Sequence, residues 1–188
     1  GSAFLIALAG DLLRRSQLRW DELKSHREFR DAVFRCYENE NLVDLAESDR
    51  ATAARLLRLI AFVAPFVPGE VFCRRAGQCL HLAPDLVERL LRRFQAAGLL
   101  SGGERDLRVV PDLFSDYLVF QTAFDSDPAK RLPTFVGLVL AEFGDESGAV
   151  LRNVAEAVWL APDQAVGRDA LIGRLVEDEM RRFDAAGF

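Results

Sequence analysis

The sequence predicts a mainly α-helical chain interrupted once by a short β-hairpin. Two observations carry this. Apolar residues recur every three or four positions through most of the 188 residues, the spacing of helices with one buried face. One stretch departs from that rhythm. Leu99-Leu100, then Ser101-Gly102-Gly103-Glu104-Arg105-Asp106, then Leu107-Arg108-Val109-Val110 reads as strand, turn, strand. The glycine pair permits the tight turn.

The helices follow in order. Phe4–Arg15 places Phe4, Leu5, Leu8, Leu12 and Leu13 at near-helical spacing. Ser25, three residues before Glu28, is a capping-box start for a second helix with Phe29, Val33, Phe34 and Tyr37 on one face. The polar run Glu38–Asn41 is expected to break it. A third helix, Arg50–Ala64, has Ser48 or Asp49 as N-cap and a stripe of Leu56, Leu57, Ile60, Ala61 and Val63. Pro65 and Pro68 end it.

A short helix over Gly69–Gly77 carries Val71, Phe72 and Ala76. Pro84 is a first-turn proline for the next helix, which turns Leu86, Val87, Leu90, Leu91 and Phe94 inward. Gly98 suits the position just past its end. After the hairpin and Pro111-Asp112, Leu113–Phe124 resumes a helix. Three further helices are expected at about Ala129–Phe143, Ser147–Leu160 and Gln164–Ala185, with joins short enough for antiparallel neighbours. The expected organisation is a helical segment over residues 1–48, a central module over 49–124 and a helical array over 125–188.

Composition narrows the function. Half of the residues are hydrophobic, so a substantial core can be buried. The net charge is −5. Gly1–Gly98 holds 15 basic and 13 acidic residues, and Leu99–Phe188 holds 9 basic and 16 acidic. An acidic C-terminal half argues against a dedicated nucleic-acid binder. Cys36, Cys73 and Cys79 are an odd set without a disulfide framework, which fits a reducing, cytoplasmic location. No apolar run reaches membrane-spanning length and no signal peptide is visible. Gly1-Ser2 reads as a cloning remnant, so a piece of a longer protein is expected.

Three helices and then a two-stranded hairpin is the order of a winged helix. In a DNA-binding winged helix the third helix enters the major groove. Here its first turn carries Asp85 and Glu88, poor partners for phosphate, although Arg89, Arg92 and Arg93 can reach a backbone. Nucleic acid is therefore an unfavoured partner.

Three stretches give the chain a wider resemblance. Gly1–Gly10 is similar to a helix start bearing a G-x-P motif. Leu56-Leu57-Arg58-Leu59-Ile60-Ala61-Phe62-Val63-Ala64-Pro65-Phe66 is similar to a winged helix's first helix. Ala97–Leu100, the hairpin, and Val110-Pro111-Asp112-Leu113-Phe114-Ser115-Asp116-Tyr117-Leu118 resemble the approach to an M-H-D motif. Together they resemble the region after the nucleotide-binding core of STAND-type signalling ATPases. The resemblance implies a helical domain, a winged helix and the start of helical repeats. It also implies two partners: the nucleotide-binding domain of the parent chain and an unknown protein ligand.

Two departures qualify it. Ala3 stands where the family has the motif's proline, and Pro111 where it has the histidine that contacts nucleotide phosphate. Pro111 has neither a side-chain donor nor an N–H. Asp112 matches the family's aspartate and is the candidate contact to a nucleotide domain. Walker motifs are absent, so neither catalysis nor a cofactor is expected of this segment. Self-association through an exposed apolar edge is also expected.

Other clusters have bland readings. Cys73, Cys79 and His81 lack a fourth ligand for a metal site, and a Cys79–His81 nucleophilic pair needs a special loop geometry. Buried cysteines are the plainer expectation. His26 is expected at the surface. Glu177, Asp178 and Glu179 can pair with Arg174, Arg181 and Arg182 along one helix. Asp112 can cap the helix that follows it, with Asp116 one turn on. Trp20 and Trp159 suit packing, and Trp159 with Leu151, Val154 and Val158 could form a ligand surface.

Overall fold

A computed structural model describes residues 2–14, 26–103, 106–123 and 133–159. Among these, the fold is mainly helical with one two-stranded antiparallel hairpin. The expected helix over Gln164–Ala185, and with it Arg174, the acidic run and Arg181-Arg182, lies outside the described residues, as does Trp20. The chain divides into two compact units between Ala54 and Arg55.

In the first unit, α1 (Ser2–Arg14) packs on α2 (His26–Leu42). Leu5, Ala9 and Leu12 of α1 are buried, as are Val33 and Phe34 of α2. The expected break at Glu38–Asn41 is absent, and α2 runs through it. Phe34, Glu38 and Leu42 lie four residues apart and are all buried, so one inward stripe continues across polar letters. Asn41 Nδ2 donates to the Tyr37 carbonyl at 2.8 Å. Arg50 clamps the turn after α2, donating from Nε to the Leu45 carbonyl and from Nη2 to that of Val43.

Helix α3 spans Glu47–Val63 and starts three residues earlier than expected. The Ala46 carbonyl accepts from the N–H groups of Asp49 and Arg50. Ser48 and Asp49 therefore lie inside the first turn rather than capping it. Glu47 and Asp49 put negative charge at the positive end of the helix dipole.

In the second unit, the C-terminal half of α3 is buried nearly all round. Leu59 and Phe62 are as inaccessible as Leu56, Leu57, Ile60 and Val63. A helix apolar on every side belongs at the centre of its unit. Helix α4 (Glu70–Leu80) outlasts the expected Gly77 by one turn and ends at His81, whose φ of 57° is left-handed. Its buried face is Phe72, Cys73, Ala76, Gly77, Cys79 and Leu80, which leaves Val71 exposed. Helix α5 (Pro84–Ala96) buries Val87, Leu90, Leu91 and Phe94. Gly98, at φ 71°, turns the chain into the hairpin.

Strands β1 (Leu100–Ser101) and β2 (Arg108–Val109) pair with Leu100 opposite Val109 and Ser101 opposite Arg108. Phe66, in the connection between α3 and α4, adds a further antiparallel bridge. It exchanges both backbone hydrogen bonds with Leu107, each at 3.0 Å. Helix α6 (Asp112–Ala123) packs mainly on α8 (Ser147–Trp159), and α7 (Pro133–Glu142) packs on α4. A 3-10 turn, Gly144–Glu146, joins α7 to α8. An aromatic chain links these layers: Phe62 meets Phe135 edge-on at 5.8 Å, Phe66 stacks on Phe72 at 4.0 Å, and Phe72 leans on Phe143 at 5.8 Å. No helix among the described residues is long and apolar enough to cross a membrane.

Candidate functional site

A polar cleft of the second unit, about 300 Å³, lies where β2, α6 and α8 meet the residues just after α3. Each wall follows from local structure. β2 alternates, so Val109 is buried while Arg108 faces out. Helix α6 turns Phe114, Tyr117, Leu118 and Val119 inward and leaves Asp112 and Asp116, one turn apart, at the cleft. Helix α8 buries Val150, Val154, Ala157 and Val158, so Arg152, Asn153 and Glu156 share the opposite side.

Asn153 forms the floor. Its Nδ2 approaches the carbonyls of Ala61, Phe62 and Ala64 at 3.2, 2.8 and 2.7 Å. These belong to the C-terminal turn of α3 and the residue after it, where helix carbonyls lack intrahelical donors. One side chain thus fixes α8 against the end of α3.

The electrostatics centre on Asp116. Burial pushes its carboxyl up to about 6, helped by the neighbouring charges of Glu156 and then Asp112. Arg108 and Arg152 line the same cleft. It therefore presents three carboxylates and two guanidinium groups, with the Asp116 carboxyl pushed up to about 6. Such a surface can pair with an opposing charged surface and adjust the pairing by a single proton.

Asp112 is exposed, in the first turn of α6. It does not precede the helix as a cap, because the Pro111 carbonyl accepts from the N–H groups of Phe114 and Ser115. Its charge still sits favourably on the helix dipole.

The three candidate phosphate-contacting arginines of α5 differ in their surroundings. Arg89 is exposed and Arg93 is half-buried. Arg92 pairs through Nη2 with Glu88 Oε1 at 2.9 Å. Cys73 and Cys79 are buried, and burial raises both thiols, Cys79 to about 11. His81 is exposed on the left-handed cap of α4. Among the described residues, no group of three or more His, Cys, Asp or Glu is placed to hold a metal ion. The expected ligand surface on α8 is not available in that form, because Val154 and Val158 are core residues.

Arg108, Arg152, Asn153 and Glu156 were not visible as site residues in the sequence. The alternation of β2 and the one-sided polar spacing of α8 were the available signals, but nothing linked them to Asp112 and Asp116. Comparison of the chain with protein-family models, curated proteins and solved structures found no match.

Proposed function

We propose that the chain is a non-catalytic regulatory region of a STAND-type signalling ATPase, relaying between a nucleotide-binding core and a helical sensor. The observation that carries this reading is the Phe66–Leu107 bridge. With it, the chain runs helix, one strand residue, helix, helix, hairpin, and Phe66, in the link after the first helix, pairs with the far side of the hairpin. That path supports the winged-helix reading more strongly than helix order alone. The exposure of Asp112 at the polar cleft supports its proposed contact with a neighbouring domain. The proposed mechanism is conformational: the module docks on the nucleotide domain in one state and leaves it in another.

DNA binding is the alternative, favoured by exposed Arg89 on α5. Against it stand Asp85 and Glu88 on the same helix and the pairing of Arg92 with Glu88. Two measurements test the proposal. The sequence upstream in the parent gene should contain a Walker A motif about two hundred residues earlier. In the full-length protein, hydrogen exchange over residues 108–116 should change when ATP replaces ADP. Unchanged exchange there, together with steeply salt-dependent binding of duplex DNA, would overturn the proposal.

A further inference from the structure

A second cleft of the same unit, about 460 Å³, opens between the start of α4 and the exposed side of α5. Its size falls among clefts that hold ligands or side chains, about 300–1,000 Å³. The floor is apolar, with Pro68, Cys73, Pro84 and Leu91 among its lining residues. The charged residues of the lining are Glu70, Asp85, Glu88 and Arg92. Three carboxylates therefore face one guanidinium, and Glu88 already engages that guanidinium. Glu88 also acts on the cleft interior, since its charge adds to the burial that raises the Cys73 thiol.

Val67 and Val71 flank Pro68–Glu70 in the chain and are 59% and 55% exposed. They set two exposed aliphatic side chains on either side of the lining segment Pro68–Glu70. The sign of the rim selects the partner's chemistry. A nucleic acid would meet carboxylates at both helix starts, whereas a basic peptide would meet complementary charge.

We infer that this groove is a docking site for a basic peptide segment of another protein. An aromatic or aliphatic side chain enters over Cys73 and Leu91, and flanking lysines or arginines pair with Glu70, Asp85 and Glu88. The site stands apart from the polar cleft and does not depend on the ATPase reading.

The test is an amide-resolved NMR titration of the 188-residue chain. The probe is a blocked hexapeptide of alternating lysine and phenylalanine. Matched peptides with glutamate for lysine, or glycine for phenylalanine, serve as controls. Shifts should be confined to residues 67–73 and 84–95 and weaken with added salt. Asp85→Asn with Glu88→Gln should weaken binding about fivefold, the scale expected for two exposed ion pairs, with an unchanged urea midpoint confirming the fold. Glu156→Gln, in the other cleft, should leave binding unchanged. The inference is overturned by equal binding of the glutamate or glycine peptide, by shifts elsewhere, or by no shifts with the basic peptide. It is also overturned if the same amides prove to be covered by a second copy of the chain.

Discussion

Arg75 and Asp145 meet fork to fork: Nη1 lies 2.7 Å from Oδ1 and Nη2 lies 3.0 Å from Oδ2. The pair joins α4 to the 3-10 turn ahead of α8, across seventy residues of sequence. The guanidinium also sits 5.9 Å from the centre of the Phe143 ring. Bidentate geometry and the ring favour a fixed arrangement. The Asp145 side chain is 62% exposed, however, so water screens most of the attraction.

Asp145→Asn is therefore expected to lower stability by less than about 1 kcal/mol at neutral pH. The hydrogen bond from Arg75 holds the Asp145 carboxyl below its usual range. The contribution is thus complete above the unfolded carboxylate value and is lost as pH falls through the lower folded value. Urea midpoints of wild type and variant should differ at pH 7 and converge on acidification through the lowered folded-state value. A difference that persists in acid would mean that the pair does not act through charge.

Two glycines should respond oppositely to alanine. A Cβ on Gly77, buried in α4, would lie 2.6 Å from the Leu82 carbonyl oxygen. That carbonyl belongs to the chain as it folds back, where Leu82 N–H donates to the Gly77 carbonyl at 2.8 Å. Gly77→Ala must push backbone away and should cost about 1–3 kcal/mol. Gly148, exposed in the first turn of α8, has nothing within 4 Å of its would-be Cβ. Gly148→Ala should stabilise by about 0.5–1 kcal/mol through helix propensity. Thermal midpoints of the two variants would settle the contrast.

The sequence made some of this legible and hid the rest for physical reasons. Most of the core face of α5 could be read directly, because Val87, Leu90, Leu91 and Phe94 recur at helical spacing between a first-turn proline and Gly98, while Leu86, expected inward with them, is only half-buried. The continuation of α2 could not, because Glu38 is polar in name yet its side chain is buried in line with Phe34 and Leu42. Val71 is the converse: an apolar residue left outside because Phe72, Cys73 and Ala76 fix the face of α4. The ends of α3 and α4 shifted by three residues, the usual weakness where capping signals compete. The polar cleft was hidden because its walls are distant in sequence. Asp112 and Asp116 invited attention as a spaced pair, but only the pairing of the hairpin and the docking of α6 on α8 bring Arg108, Arg152 and Glu156 beside them.

Asn153 is expected to be the most sensitive polar residue of that cleft. Its amide donates toward carbonyls at the end of α3 that have few other donors. Asn153→Ala should cost about 1–3 kcal/mol, the penalty for leaving such acceptors unsatisfied. Asn153→Asp preserves shape but replaces the donor with a carboxylate facing carbonyl oxygens. It should be more destabilising than alanine at pH 7. If the aspartate variant matched wild type in urea unfolding, the amide would not be the group that holds α8 to α3.

Asp116 should tune stability in the opposite sense to Asp145. Burial, then Glu156, then Asp112 raise its carboxyl from 3.8 to about 6. The fold thus favours the neutral acid, and ionisation works against folding. The penalty is absent below the unfolded value, grows as pH rises from about 4 through about 6, and is complete above that. The full shift would correspond to about 3 kcal/mol at 1.36 kcal/mol per pH unit. Asp116 is only half-buried and Arg108 and Arg152 line the same cleft, so screening and counter-charge reduce the expected effect to about 1 kcal/mol. Asp116→Asn removes the ionisation and keeps the shape. It should raise the urea midpoint at pH 7.5 and leave it unchanged near pH 4. Glu156→Gln should recover part of the same gain, because Glu156 raises the Asp116 carboxyl more than Asp112 does. If Asp116→Asn destabilised the protein at pH 7.5, the carboxylate would be pairing with Arg108 or Arg152 strongly enough to outweigh its burial.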